Sequence, residues 1–187
     1  MKKRKVILVT DGDRIAQKAV EIAAKNIGGR CISSSAGNPT PLSGPEIIEQ
    51  IKQAECEPVV VMVDDCGDEG VGRGEKAMID IIKCPDIEVL GVVAVASNGK
   101  EGSHVQVDCS ITKDGKKIDY AVDKYGNNTF HTRISGDTLT VLKDIDVPII
   151  VGIGDPGKMD YKDNISVDAP VTTAALQEIM NYHNNLQ

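Results

Sequence analysis

The stretch Val6-Ile-Leu-Val9 is a short, continuous apolar run, and the polar turn Thr10-Asp-Gly-Asp13 follows it directly. After that turn, apolar residues recur at helical spacing, at Ile15, Ala19, Ile22, Ala23 and Ile27. The pair Gly28-Gly29 then interrupts the pattern, as glycine often does at the end of a helix. This segment predicts a buried strand followed by an amphipathic helix, the repeating unit of α/β proteins.

The strand-then-helix pattern returns further along the chain. Cys31–Ser34 is a weaker strand, and a second helix begins after the capping-box spacing of Ser43-Gly-Pro-Glu46. Val59–Val63 is the most apolar strand, while Val89–Ala96 and Val147–Val151 are further buried strands. Continuous apolar strands that alternate with helices are typical of a parallel sheet covered on both faces. We therefore predict an α/β three-layer sandwich with a mostly parallel sheet in the strand order 2-1-3-4.

A different pattern begins after Asn98. Apolar residues alternate with polar ones through Val105 to Ile111, and Lys113-Asp-Gly115 offers a turn before Ile118–Val122. We expect residues 103–135 to form an antiparallel hairpin and loop insertion at the sheet edge. The length of 187 residues favours a single domain over 1–187.

The last part of the chain carries two helix predictions. A short helix is expected near Asp137–Leu142, before the strand at Val147. A final helix is expected after Asp168, which can cap it, with Pro170 in the first turn.

Composition excludes several classes of protein. The core must be β-branched, because the chain has 20 Val and 21 Ile but only 7 Leu and no Trp. A net charge of −7 argues against a nucleic-acid partner and against direct attraction to anionic lipid. No segment approaches the roughly 18–20 apolar residues of a membrane span, so we expect a cytoplasmic topology without membrane insertion. The five cysteines show no C-x-x-C pair, which disfavours a zinc site.

Acidic residues follow two of the predicted strands. Asp11 and Asp13 follow the first strand, and Asp64, Asp65 and Asp68 follow the third. If these strands are neighbours, their carboxylates converge at the carboxyl edge of the sheet. Clustered carboxylates can hold Mg²⁺ or Ca²⁺, so these five residues are a candidate metal site. Asp is also common as a helix cap after a strand, and both interpretations remain open.

This acidic arrangement resembles the Toprim fold of topoisomerases and primases. In that fold, an acidic residue after the first strand and an Asp-x-Asp after a later strand bind Mg²⁺ for phosphoryl transfer. Here Asp11 and Asp13 stand where the family has Glu, and the adjacent pair Asp64-Asp65 replaces its Asp-x-Asp. The resemblance implies a Rossmann-like or Toprim-like sandwich, and a Mg²⁺-dependent phosphoryl-transfer enzyme as an alternative function. We assign no catalytic residue on this basis.

Two glycine-containing segments are candidate binding loops. Gly152-Ile-Gly-Asp-Pro-Gly157 fits the dinucleotide pattern, and Lys158 extends it toward a P-loop, but no amphipathic helix follows and Met159 replaces the Ser or Thr that would hold magnesium. A tight surface loop is the expected structure. The segment from Ser35 to Gly44 combines hydroxyls, amides and two prolines at the end of the second strand. It predicts an exposed rigid loop that can bind a small anion through Ser35, Asn38, Thr40 and Ser43.

Four segments together resemble the soluble stage V sporulation protein AE family of spore-forming Firmicutes: Lys5–Asp13, Gly28–Gly44, Val89–Asn98 and Val147–Met159. The resemblance covers essentially the whole chain, and its most distinctive part is Ala36–Gly44. It implies a non-enzymatic component of the machinery that moves dipicolinic acid, with calcium, into the developing spore and out again on germination. The partners would be the other dipicolinate transport proteins. The resemblance implies a peripheral position at the spore inner membrane.

Overall fold

Seven strands form one mostly parallel sheet, and a separate pair of strands packs beside it. The computed structural model describes residues 2–66, 71–98 and 103–186. The strands are β1 Arg4–Val9, β2 Arg30–Cys31, β3 Val59–Met62, β4 Ile87–Val95, β5 His104–Gln106, β6 Cys109–Ile111, β7 Lys117–Ile118, β8 Arg133–Ser135 and β9 Ile150–Ile153. The α-helices of the described segments are α1 Arg14–Asn26, α2 Gly44–Gln53, α3 Arg73–Lys83 and α4 Pro170–Asn184. The predicted α/β class is confirmed.

The sheet runs in the order β2-β3-β1-β4-β9-β6-β7. β1 pairs in parallel with β3 on one side and with β4 on the other, so the predicted adjacency of β1 and β3 is confirmed. The predicted order 2-1-3-4 is wrong, because β2 pairs with β3 and not with β1. The Val6–Val9 segment of β1 is buried on both faces, as expected for a central strand with a neighbour on each side. β2 has only two residues, of which Arg30 is exposed, and these properties suit an edge strand.

Helices cover both faces of the sheet and divide the core into two layers. On one face, Ile7 of β1 packs in the same cluster as Val20 of α1 and Leu176 of α4. On the other face, Leu8 packs in the same cluster as Ile47 of α2, together with residues of α3. Adjacent residues of one strand point to opposite faces, so β1 alone contributes to both layers.

The added antiparallel hairpin is confirmed, and the bounds 103–135 of the insertion stay a prediction. β6 and β7 form an antiparallel hairpin at the sheet edge, and β6 also pairs in parallel with β9. The segment before it is not part of that hairpin, since β5 pairs with β8 in the separate two-stranded sheet. The change of sheet falls at Asp108, whose amide donates to the Ile150 carbonyl and whose carboxylate accepts from the Ile150 amide at 2.7 Å. The single-domain assignment stays a prediction.

Of two local predictions near the end of the chain, one is confirmed in part and one is wrong. The short helix expected near Asp137–Leu142 is a 3₁₀ helix over Thr140–Lys143. α4 is capped by Asp163 and not by Asp168, because Asp163 accepts from the Val171 and Thr172 amides at 2.8 and 3.0 Å. Asp168 instead has a left-handed backbone with φ 63°. The chain before α4 folds back over the start of the helix, and local spacing does not reveal this.

Candidate functional site

The candidate site lies at the carboxyl edge of the sheet, at the loops that leave β1 and β3, and we call this site the crevice. β1 continues into α1 on one face of the sheet, and β3 leads to α3 on the other face. Ligands of open α/β sheets bind at the carboxyl edge, where neighbouring parallel strands lead into helices on opposite faces. The structure therefore brings Asp11 and Asp13 to the same edge as Asp64 and Asp65, as the sequence predicts.

Asp64 connects three loops at the floor of the crevice. Its Oδ2 accepts from the Gly12 amide of the β1–α1 loop at 3.2 Å, and its Oδ1 accepts from the Cys66 amide at 2.9 Å. Its backbone exchanges two bonds with Thr40 of the β2–α2 loop: the Asp64 amide donates to Thr40 Oγ1 at 2.8 Å, and the Thr40 amide donates to the Asp64 carbonyl at 2.9 Å. The three loops thus form one hydrogen-bonded unit.

The close approach of these loops requires glycine at position 12. A Cβ atom on Gly12 would lie 2.5 Å from the carbonyl oxygen of Gly37 and 3.1 Å from the Cβ of Asp64. The first contact is with backbone, which cannot rotate away as the end of a side chain can. The turn Thr10-Asp-Gly-Asp13 is therefore determined by contacts with the two neighbouring loops as well as by its own backbone.

Two of the five candidate metal ligands are helix caps. Asp13 Oδ1 accepts from the Ile15 and Ala16 amides at 2.7 and 2.8 Å, which caps α1. Asp65 Oδ1 accepts from the Gly74 amide at 2.6 Å at the start of α3. These bonds satisfy amides that have no partner inside their helices. The capping interpretation of Asp13 and Asp65 is confirmed.

The crevice favours protonated carboxyl groups. Desolvation raises the pKa of Asp11 from 3.8 to about 8, and the charges of Asp13, Asp64 and Asp155 add to the shift. Desolvation likewise raises the pKa of Asp64 to about 6, against the opposing effect of its hydrogen bond from the Cys66 amide. Near neutral pH, a proton therefore resides on the crevice carboxylates part of the time.

The loop after β9 brings a further carboxylate to the crevice, which the sequence analysis missed. Asp155 is buried, its Oδ1 accepts from the Gly157 amide at 2.8 Å, and its Oδ2 pairs with Lys158. The expected surface loop at 152–157 is therefore wrong for its first part, since Gly154, Asp155 and Pro156 are all buried. The segment turns without entering an α-helix, as predicted, so it presents no helix N-terminus to a phosphate.

The metal prediction stays a prediction. Within 2–66, 71–98 and 103–186, no three His, Cys, Asp or Glu side chains are grouped so as to hold a metal ion. Asp68, the fifth candidate ligand, lies outside the described residues. Of the candidates that are described, Asp11 and Asp64 are the two whose carboxylates do not cap a helix.

The four predicted anion-binding residues separate into three environments. Ser35 is fully buried, where its hydroxyl donates to the Ile32 carbonyl and accepts from the Met62 amide. Thr40 is fully buried as well, so the expectation that it is a surface residue is wrong. Ser43 donates to Glu46 in the capping box of α2. Asn38 is exposed, and a binding role for the group remains a prediction centred on this residue.

The comparison with known families covers both the sheet and the loops of this site. The family model of stage V sporulation protein AE1 matches residues 5–183 of the 187-residue chain. The chain belongs to this family. The resemblance noted from the sequence is therefore confirmed, and the chain is a sporulation-related protein. Searches of curated proteins and of solved structures found no match. Within the described segments, no helix is long and apolar enough to cross a membrane.

Proposed function

We propose that the protein is a non-enzymatic component of the machinery that moves dipicolinic acid, with Ca²⁺, during sporulation and germination. The observation that carries this proposal is the family match over residues 5–183, which includes every loop of the crevice described above. The proposed place of action is the cytoplasmic side of the spore inner membrane, where the chain binds other dipicolinate transport proteins.

The hydrogen bonding of the crevice supports a binding role over a catalytic one. Asp13 and Asp65 cap helices, and the hydroxyls of Ser35 and Thr40 bond to backbone. Groups engaged in this way hold the loops in position but are not free to attack a substrate. Loops that such hydrogen bonds hold in position lose little entropy when they meet a partner or a small ligand, which suits a docking subunit.

Attachment through partner proteins follows from charge. The net charge of −7 opposes binding to anionic headgroups, since a negatively charged membrane surface attracts basic segments. Vesicles of anionic phospholipid alone should therefore not retain the purified protein at physiological salt. Retention by such vesicles would contradict attachment through proteins.

The deciding experiment is affinity capture from sporulating cells, combined with deletion of the gene. We expect capture to recover other proteins encoded for dipicolinate transport, and spores of the deletion strain to hold less dipicolinate than the parent. Re-expression of the chain should restore the content. Spores with normal dipicolinate content and normal release on germination would contradict the proposal.

A Mg²⁺-dependent phosphoryl-transfer enzyme is a second candidate, favoured by one observation. Asp11 and Asp64 come from neighbouring strands and lie close enough for the charge of Asp64 to raise the pKa of Asp11. A structure with Mg²⁺ or Mn²⁺ should then show octahedral oxygen coordination near 2.1 Å at these carboxylates, the geometry expected of Mg²⁺. Recovery of replication or repair proteins in the capture experiment would also favour this function.

A small-anion module at the same crevice is the remaining alternative. Its distinguishing test is calorimetry with dipicolinate and Ca²⁺, added separately and together. Heat that appears only with both, beyond the heat of mixing Ca²⁺ with dipicolinate in the absence of protein, would indicate a calcium-bridged complex, since carboxylates bind Ca²⁺ through oxygen.

A further inference from the structure

A second concave site lies outside the Asp11–Asp64 crevice. It is a cleft of about 650 Å³ between the end of β4 and the two-stranded β5–β8 sheet, and the segment around Lys124 closes one side. Its volume falls in the range of small-molecule sites, which run from about 300 to 1,000 Å³. The apolar side chains of Ala96 and Val122 contribute to its wall.

The register of the small sheet places polar groups toward this cleft. Val105 pairs with Ile134, and both are buried, so they define the inner face of the sheet. His104 and Arg133 each lie one residue away along their strands, and side chains alternate between faces along a strand. Both residues therefore lie on the outer face, and both line the cleft together with Ser135.

The charged groups of the cleft leave a positive balance. Lys124 is held in place by a 3.0 Å bond from its Nζ to Asn98 Oδ1. Asp123 is the acidic residue of the lining, but its Oδ1 accepts from the Tyr125 and Asn127 amides, both at 2.9 Å, so its own turn occupies it. In the part of the chain that is described, the Arg133 guanidinium makes no hydrogen bond or ion pair.

A guanidinium that has no partner among the described residues is a ready ligand for an oxyanion. Its planar fork of N–H donors matches a carboxylate or a phosphate group, and the resulting charge-assisted bonds are stronger than neutral ones. Tyr125 and His131 add aromatic surface to the lining, and Ala96 and Val122 add apolar surface. Such walls favour an anion with an organic body over a bare inorganic ion.

We propose that this cleft binds a small organic anion that carries a carboxylate or phosphate group, with Arg133 as the principal ligand and Lys124 as the second cation. The proposal does not depend on the dipicolinate role, because it rests on groups outside the crevice.

The test is a titration of the full chain with benzoate, with phenyl phosphate and with neutral benzamide at constant ionic strength. Binding is monitored by the chemical shifts of the backbone amides. We expect benzoate or phenyl phosphate to bind with a dissociation constant of roughly 1 mM or tighter and benzamide to bind more weakly. The anion that binds more tightly shows whether the site prefers a carboxylate or a phosphate group. The shifts should concentrate on β5, β8 and the segment around Lys124.

Arg133→Gln should weaken binding about tenfold or more, as expected when a charged hydrogen bond is lost. Arg30→Gln is the matched control, since Arg30 is also an exposed arginine on a strand but lies at an edge of the main sheet, whereas Arg133 lies in the two-stranded sheet. Lys124→Gln should weaken binding to a smaller degree. The proposal is overturned if neither anion binds, or if Arg133→Gln binds as tightly as the wild type while remaining folded.

Discussion

The Oδ2 atom of Asp64 accepts a hydrogen bond from the backbone amide of Gly12, 52 residues earlier in the chain, at 3.2 Å. This single bond joins the loops that follow two neighbouring strands, and Thr40 adds the third loop through the Asp64 backbone. The unit has little space for added atoms and few spare hydrogen-bonding groups. Substitutions that add an atom to these three loops, or that remove a hydrogen-bonding group from them, should therefore lower the stability of the protein.

Gly12→Ala should destabilise the protein by about 1–3 kcal/mol, because the new methyl group would meet the Gly37 carbonyl at 2.5 Å. The midpoint of urea unfolding measures this loss. Gly157→Ala is the control: its Cβ would lie 3.2 Å from a side-chain atom, Asp155 Oδ1, so we expect a smaller loss. Equal urea midpoints for Gly12→Ala and the wild type would contradict this prediction, because the loops that contain Gly12 and Gly37 would then accommodate the methyl group without a loss of stability.

Thr40→Val should lower stability by about 1–3 kcal/mol, since it leaves the buried Asp64 amide without its acceptor. For a chain of this size, that loss corresponds to a fall in melting temperature of roughly 2–12 °C. Thr40→Ser keeps the hydroxyl and should retain most of the stability. Asn38→Ala, at an exposed position of the same loop, should stay within about 0.5 kcal/mol of the wild type. A Thr40→Val protein as stable as Thr40→Ser would refute the structural role of the hydroxyl.

The raised pKa values of Asp11 and Asp64 predict an unusual dependence of stability on pH. Between about 4 and about 8, the folded protein binds more protons at these groups than the unfolded chain does, so their contribution to the free energy of unfolding decreases as pH rises. Asp11→Asn removes a charge but keeps an oxygen that can accept from the Asp13 amide.

We expect Asp11→Asn to stabilise the protein at pH 8 by roughly 1 kcal/mol or more, a value that allows for solvent screening of this partly exposed group. The gain should vanish near pH 4. Thermal unfolding in the presence of EDTA, from pH 4 to pH 9, measures both effects. Asp119→Asn, at an exposed position, serves as the control. An Asp11→Asn protein that is less stable than the wild type at pH 8 would contradict the raised pKa of Asp11.

The cap of α4 can be tested by a pair of substitutions. Asp163→Ala removes the acceptor of the Val171 and Thr172 amides and should cost about 1–2 kcal/mol. Asp168→Asn should cost much less, because its side chain is exposed and Asn tolerates a left-handed backbone. Chemical denaturation compares the two. The reverse ranking would restore Asp168 as the cap.

Much of the fold was predictable because it rests on local patterns. The continuous apolar runs at β1, β3, β4 and β9 and the helical spacing after Asp13 each reflect burial within one element. The strand order was not predictable in the same way, since the position of β2 depends on competition among strands for the centre of the sheet. The short length of this strand and the charge of Arg30 together would have favoured an edge position in the sheet for Arg30–Cys31.

The site was predictable where carboxylates follow strands and not where distant segments meet. Asp11 and Asp64 were found because both follow apolar runs. Asp155 was missed because its only local signal was a glycine pattern that suggested a phosphate loop. Burial of Thr40 was also missed, since the composition of the segment from Ser35 to Gly44 suggests a surface turn. The hydrogen-bond partner of Thr40, the Asp64 amide, is 24 residues away in the chain.

The two ends of the main sheet are β2 and β7, and each contains only two residues. An edge strand this short offers few unpaired backbone groups to a second molecule, and Lys117 places a charge on one of them. The continuous apolar strands Val59–Met62 and the apolar half of β4 have a composition suited to cross-β pairing, and both are enclosed between other strands. The main sheet therefore offers little backbone for growth by strand addition, and its central apolar strands become available for such pairing only when the chain unfolds.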